Sequence, residues 1–335
     1  MVSRSDPPPE NRAVLFLSSN GIGLGHLSRQ LAIATRLPPK LEPVFHSQSL
    51  GIRLAREAGF LTFHHQHHRY NGLDVEIWNC QLGRDLVMLA RHLRPAAIVV
   101  DCTVIFGGFM RVLEETKGQI PRIWIRRGFL APEHSRHLAA TDCFDYVIEP
   151  GDLAAALDDG PSAALRDQVI TVPPVLNVAP EERLSREEAR SRLGLSDDRP
   201  TIALLLGHTL GAATAAIRQT ICTALAATNA CLLDIRSPLE ADLSEASGGA
   251  RRLSLYPAFS LSHGFDAVIT LAGYNSFHEA MLGKVPTLFL VWPQPGMDRQ
   301  DRRVEWAVAR GLALGLNGEP LANGEVTGLT EAVAE

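Results

Sequence analysis

Short, almost wholly apolar runs alternate along this chain with longer stretches whose apolar residues recur at helical spacing. In the first half the runs fall at Ala13–Ser18, Pro43–Ser47, Leu61–His65, Ala96–Asp101, Arg122–Arg126 and Tyr146–Ile148. In the second they fall at Thr201–Leu206, Cys231–Ile235, Arg252–Tyr256, Ala267–Leu271 and Thr287–Val291. Short runs of branched and aliphatic residues without polar alternation read as strands buried on both faces. Separated by amphipathic stretches such as Gln30–Leu37, they predict parallel βαβ construction. Val172-Pro-Pro-Val175, followed by the charged segment Glu181 to Arg192, separates the two series. Two Rossmann-like domains are therefore expected, 1–175 and 176–335, and no short repeat points to a solenoid.

Composition fits that division. With 335 residues, 46% of them hydrophobic, there is ample core for two domains. A net charge of −5 gives no support for a nucleic-acid partner. Cys80, Cys102, Cys143, Cys222 and Cys231 show no C-x-x-C spacing and read as reduced core thiols. No apolar run approaches the roughly 18 residues of a membrane span, and the polar, proline-rich start is unlike a signal peptide. A cytoplasmic protein without a transmembrane segment is expected, with peripheral membrane contact left open.

Candidate chemistry sits at the ends of strands. After Ala267–Leu271, Gly273 makes a turn and Asn275 or Ser276 can cap the helix that follows. Such a helix start attracts an anion through its N–H groups and dipole, and a glycine lets a phosphate approach the backbone. Glu279, one helical turn beyond Asn275, can accept both hydroxyls of a ribose. An ordinary strand-to-helix turn reads the same way, since any α/β protein has several. Beyond Thr287–Val291 comes a second polar loop, Met297-Asp-Arg-Gln-Asp301.

The first strand runs into Asn20-Gly-Ile-Gly-Leu-Gly-His-Leu-Ser-Arg29. Its glycines, Gly21, Gly23 and Gly25, are spaced G-x-G-x-G rather than G-x-G-x-x-G, which disfavours hydride transfer. They permit close approach of a substrate to His26, which titrates near neutrality; the plain alternative is a histidine that caps or packs. Asp101 ends its strand where it can hold the His26 tautomer, or simply form a turn. Gly207, His208 and Thr209 can supply donors to a diphosphate, or Thr209 can cap a helix. Phe63-His-His-Gln-His-His-Arg-Tyr70 splits its histidines between two strand faces and lacks a ligand partner at metal spacing, so no metal site is expected there. It reads better as an acceptor-side wall or a solvent-facing loop. Arg126-Arg127 can meet an anionic acceptor or make surface ion pairs.

Ala272-Gly273-Tyr-Asn-Ser276-Phe-His-Glu279-Ala280, Gly283-Lys-Val-Pro286 and Asp298-Arg299-Gln300 together resemble the nucleotide-binding half of the GT-B glycosyltransferases. The peptidoglycan UDP-N-acetylglucosamine transferase and the UDP-glycosyltransferases are the nearest in pattern. The resemblance implies Gly273, Tyr274, Asn275 and Ser276 at the donor diphosphate, Glu279 on the ribose, and Asp298 and Gln300 at the hydroxyls of the transferred sugar. Two positions depart from the pattern. Ala272 stands where a basic residue is usual, and Arg302-Arg303 stand where the family has an Asn-Ala pair.

Gly23-Leu-Gly25-His26-Leu-Ser-Arg29 likewise resembles the N-terminal loop of these enzymes, in which the histidine is the acceptor-activating base. It is closer still to the loop of a nucleotide-sugar hydrolase of pseudaminic acid synthesis. What the resemblance implies is a GT-B fold, two Rossmann-like parallel-sheet domains facing across a cleft, with His26 opposite Glu279 and Asp298. The implied activity is transfer of a sugar, with inversion and without metal or other cofactor, from a UDP-linked donor to an acceptor hydroxyl. A hydrolase of the same fold and a non-catalytic sugar-nucleotide-binding subunit are the alternatives. GT-B enzymes usually finish with a helix crossing back to the first domain; with Thr330–Ala334 as the last candidate helix, that element is expected to be short or absent.

Overall fold

Each series of apolar runs forms a parallel sheet. The computed structural model describes residues 12–19, 24–207, 212–240, 249–292, 297–326 and 328–334. In the first sheet β1 (Ala13–Ser18), β2 (Glu42–Ser47), β3 (Leu61–His64), β4 (Ala97–Asp101), β5 (Arg122–Ile125), β6 (Tyr146–Pro150) and β7 (Ile170–Val172) lie in the order β3-β2-β1-β4-β5-β6-β7. In the second, β8 (Thr201–Leu205), β9 (Cys231–Arg236), β10 (Arg251–Ser254), β11 (Ala267–Leu271), β12 (Thr287–Val291) and β13 (Leu314–Asn317) lie in the order β10-β9-β8-β11-β12-β13. Pairing is parallel throughout. Strand order therefore reverses once in each sheet, between β1 and β4 and between β8 and β11.

Burial on both faces explains the unbroken apolar runs. In the first sheet Leu15, Leu17, Val44, Ile98 and Val100 pack under Trp78, Leu82, Leu86 and Ala90 of the helix Val75–Leu93 and Phe109, Val112 and Leu113 of the helix Gly107–Glu115. Phe16 and Phe45, one residue out of phase, stack on the opposite face with ring centroids 5.2 Å apart. The two helices meet closely at Gly108, where a Cβ would lie 2.6 Å from the Leu82 side chain. The second sheet is sandwiched in the same way. Ala203, Leu233, Val268 and Phe289 face one cluster, whereas Ile202, Leu204, Ile269 and Leu288 face the other.

The chain divides into two compact units. The first holds the residues up to Arg127 with Pro132–Pro150 and Ala164–Val172; the second holds Gly128–Ala131, Gly151–Ala163 and everything from Pro173 onward. Two short pieces that precede Pro173 in sequence thus belong to the second unit. So does the charged segment after Val175, which forms a helix, Arg186–Leu193, capped by Ser185 in a reciprocal box with Glu188.

Three elements differ from the sequence reading. The helix expected at Gln30–Leu37 spans Gly25–Ala34, beginning inside the glycine-rich loop. The edge strands β7 and β13 have no counterpart among the apolar runs, although the other two edge strands, β3 and β10, do.

Candidate functional site

The carboxyl end of the first sheet gathers its polar residues at the reversal of strand order. Register places Ser18, the last residue of β1, between Ser47 of β2 and Asp101 of β4. The helix Gly25–Ala34 starts immediately above. Because His26 and Arg29 are three residues apart on that helix they share a face, and both reach Asp101. His26 Nδ1 lies 2.7 Å from Asp101 Oδ1. Arg29 grips the same carboxylate with two hydrogen bonds, Nε to Oδ2 at 2.8 Å and Nη2 to Oδ1 at 2.6 Å.

Asp101 is fully buried and Arg29 nearly so, while the His26 side chain keeps 12% of its surface open. Burial alone would raise the Asp101 pKa, but the Arg29 charge and the His26 hydrogen bond outweigh it and hold the carboxylate below its ordinary value. An ionised carboxylate only accepts, so Nδ1 carries the imidazole proton and Nε2 is left as the basic nitrogen. Burial also lowers the His26 pKa, against the pull of Asp101, and the Arg127 and Arg29 charges add to the lowering. The ring is therefore neutral at pH 7. A neutral, oriented imidazole partly open to solvent can take a proton from a hydroxyl.

Neighbouring residues of the sequence reading fall elsewhere. Gly25 opens the helix, while Gly23 lies outside the described residues. Arg126 is buried and donates to Glu149 Oε2 at 2.8 Å, with Arg166 on the other oxygen of that carboxylate, so it serves an internal ion pair. The histidine tract packs against Trp78: the rings of His65, His67 and His68 lie 5.6, 5.4 and 5.3 Å from it. Burial, reinforced by the His68 and Arg69 charges, lowers the His67 pKa to about 4. Among the described residues no group of three or more His, Cys, Asp or Glu side chains is placed to hold a metal ion.

In the second unit the reversal of strand order falls between Gly207, which follows β8 with φ +65°, and the turn after β11. His208 and Thr209 lie outside the described residues. Gly273 is the N-cap of the helix Tyr274–Leu282 and supplies no side-chain acceptor. Asn275 and Ser276 thus sit inside the first turn rather than capping it. The helix begins two residues earlier than a cap from Asn275 would require, and three earlier than one from Ser276.

One face of that helix is occupied by other parts of the same unit. Tyr274 donates its hydroxyl proton to the Gly151 carbonyl (2.9 Å) and accepts from the Val175 N–H (3.1 Å). His278, fully buried, donates from Nδ1 to the Tyr274 carbonyl (2.7 Å), which fixes Nε2 as the acceptor for the Leu153 N–H (3.1 Å). Glu279 follows on this face. Its carboxylate accepts the backbone N–H groups of Val178, at 3.0 Å, and Asn177, and burial raises its pKa to about 7 against those two bonds and the Arg183 charge. A carboxylate has about four acceptor sites, so two N–H donors do not exhaust it.

Asp298 is buried beside Arg303, whose Nη1 donates to Asp298 Oδ2 at 2.6 Å and to the Ala272 carbonyl at 3.1 Å. Gln300, partly open, begins the next helix, Gln300–Val308. Sequence reasoning did not find Asp152, which accepts from Arg303 Nε at 2.8 Å across 151 positions. It also missed the buried cluster at the ends of β8 and β9. There Arg218 pairs with Asp234 and donates to the Gly207 carbonyl at 3.4 Å, while Arg236 joins Asp234 to Glu240.

No protein-family model and no curated protein sequence matches the chain. Solved structures do. MurG from Acinetobacter baumannii aligns over 96% of this chain and 91% of its own, with 16% identity and a TM-score of 0.57. Spinosyn rhamnosyltransferase SpnG, solved with thymidine diphosphate, aligns over 96% and 90% with 16% identity and a TM-score of 0.61. Spinosyn forosaminyltransferase SpnP aligns over 94% and 89%, again with 16% identity and a TM-score of 0.61. These likenesses establish the fold, two Rossmann-like parallel sheets of the GT-B architecture. Among the described residues no helix is long and apolar enough to cross a membrane.

Proposed function

We propose that the protein is a glycosyltransferase that moves a sugar from a nucleotide-sugar donor to an acceptor hydroxyl. The observation that carries this reading is the His26–Asp101 bond at the point where strand order reverses, the position at which open parallel sheets bind ligands. Nε2 of His26 removes the acceptor proton as the oxygen attacks the anomeric carbon. The imidazolium that forms is stabilised by Asp101, which Arg29 holds in place. Attack from the face opposite the leaving group inverts the anomeric configuration.

The donor side of the proposal is the turn after β11. Gly273 offers no cap, so a diphosphate can complete the helix start at Tyr274, Asn275 and Ser276, with Gly207 contributing from the neighbouring strand. Glu279 takes the ribose on the acceptor sites left by Val178 and Asn177, and Asp298 and Gln300 take hydroxyls of the transferred sugar. Helix-start donors replace a divalent cation in steadying the leaving diphosphate, so the scheme is metal-independent. A uridine nucleotide fits the motif resemblance, whereas SpnG was solved with thymidine diphosphate. Both bases belong in the test.

Arg29 supports a second reading. The Gly-x-Gly-His-x-x-Arg loop also resembles a nucleotide-sugar hydrolase, in which the same base would orient water. Nucleotide and free-sugar release from UDP-, dTDP- and GDP-sugars without acceptor, measured beside donor binding, separates the two. Tight binding with negligible release supports transfer. Stoichiometric release dependent on His26 supports hydrolysis, and no binding to any donor rejects both.

A further inference from the structure

We propose that Arg303 is a positioning residue for donor recognition, with its buried guanidinium locking Asp298 to the end of β11 and Asp152 serving as its second counter-charge. The inference rests on the donor reading above, which places Asp298 at the sugar. Arg303 is fully buried and touches four separate pieces of the second unit. Nη1 is shared between the Ala272 carbonyl and Asp298, Nε is held by Asp152, and the guanidinium lies 5.2 Å from the Phe129 ring centroid and 5.8 Å from that of Tyr274.

Sharing one nitrogen has a geometric consequence. The carbonyl that immediately precedes Gly273 and the carboxylate of Asp298 are both within hydrogen-bond reach of it, so they stand no more than about 6 Å apart. The spacing between the diphosphate turn and the sugar loop is thus set by Arg303. Of the residues that depart from the glycosyltransferase motif, Ala272 and Arg303 are joined by a hydrogen bond. Only a planar fork offers these three acceptors their donors from one side chain, so lysine keeps the charge and loses the geometry. Asp152 completes the balance of charge: its pKa falls to about 2 despite burial, because the Arg303 charge and hydrogen bond favour the ionised form.

The test compares affinity for UDP-N-acetylglucosamine, UDP-glucose, dTDP-glucose and GDP-mannose with affinity for bare UDP, dTDP and GDP. It uses wild type and the Arg303→Lys, Arg303→Met, Asp152→Asn and Asp298→Asn variants, each shown to be folded by its thermal melt. The wild type is expected to prefer a nucleotide-sugar over its bare nucleotide. Arg303→Lys should lose about tenfold of that preference while bare-nucleotide affinity stays within about twofold. Asp152→Asn should move the same way by less. Combining Arg303→Lys with Asp298→Asn should add nothing to Asp298→Asn alone. If Arg303→Met does not fold, the lysine and asparagine variants carry the comparison. Unchanged preference in folded variants overturns the Arg303 role alone. A wild type that binds none of the sugars overturns the donor reading, and the Arg303 role falls with it.

Discussion

A histidine removes a proton efficiently near neutrality when it is neutral, held in one tautomer and backed by a group that steadies the cation it becomes. Asp101 supplies the second and third conditions for His26, and burial supplies the first. Arg29 restrains the arrangement, since its charge lowers the pKa of both partners. Replacing it with methionine should raise the His26 pKa and move the acid limb of kcat/KM to higher pH. It should also cost about 3–5 kcal/mol of stability by leaving a buried carboxylate unpaired. A limb that stays in place would show that Arg29 does not tune the base. His26 and Asp101 were legible because each stands at a strand-to-helix junction. The Arg303–Asp152 pair was not, because nothing local joins residues 151 positions apart.

Glu279 gives a residue-scale prediction with a defined sign. Its folded pKa of about 7 lies above the ordinary value of about 4.3, so the folded state holds its proton more tightly than the unfolded state. Folding stability from this group is full at low pH and is lost as pH rises through 7. Glu279→Gln removes that dependence, so its melting temperature should gain on wild type between about pH 5 and pH 8. If the side chain also binds ribose, donor affinity falls as well. A stability change without an affinity change would confine Glu279 to holding Val178 and Asn177.

At the scale of elements, bounds were read most closely where burial is most complete. β1, β11 and β12 have the bounds that their apolar runs predict, since both faces are covered. β7 and β13, at sheet edges, left no apolar signal, whereas the edge strands β3 and β10 did. The start of the helix Gly25–Ala34 was hidden for a different reason. Glycine is a poor helix former in isolation, and here the strand end and the Asp101 contacts override that preference. Close helix contact at Gly108 is also an element-scale feature. Gly108→Ala should force the Leu82 side chain aside and destabilise by about 1–3 kcal/mol. Turnover per folded molecule should not change, and a loss of activity without a lower melting temperature would contradict this packing role.

At the scale of the whole molecule, two parallel sheets repeat one strand order, and each brings candidate chemistry to its reversal point. The two parallel sheets were written in the alternation of apolar and helical segments, whereas their strand order was not. The assignment of Gly128–Ala131 and Gly151–Ala163 to the second unit was not, because it depends on contacts such as Tyr274 with Gly151 and Arg303 with Asp152 rather than on any local pattern. The proposed metal independence is tested on the whole protein. Turnover should be unaffected by excess chelator, and loss that a divalent cation restores would reject the scheme.

The most direct test of the account is the His26→Ala variant with a donor that the wild type is shown to bind and turn over. Turnover should fall by about 10²–10⁴-fold, while donor affinity stays within about twofold, because the proposal has the base act on the acceptor and the second unit hold the nucleotide. Undiminished turnover in a folded His26→Ala protein would contradict the central claim.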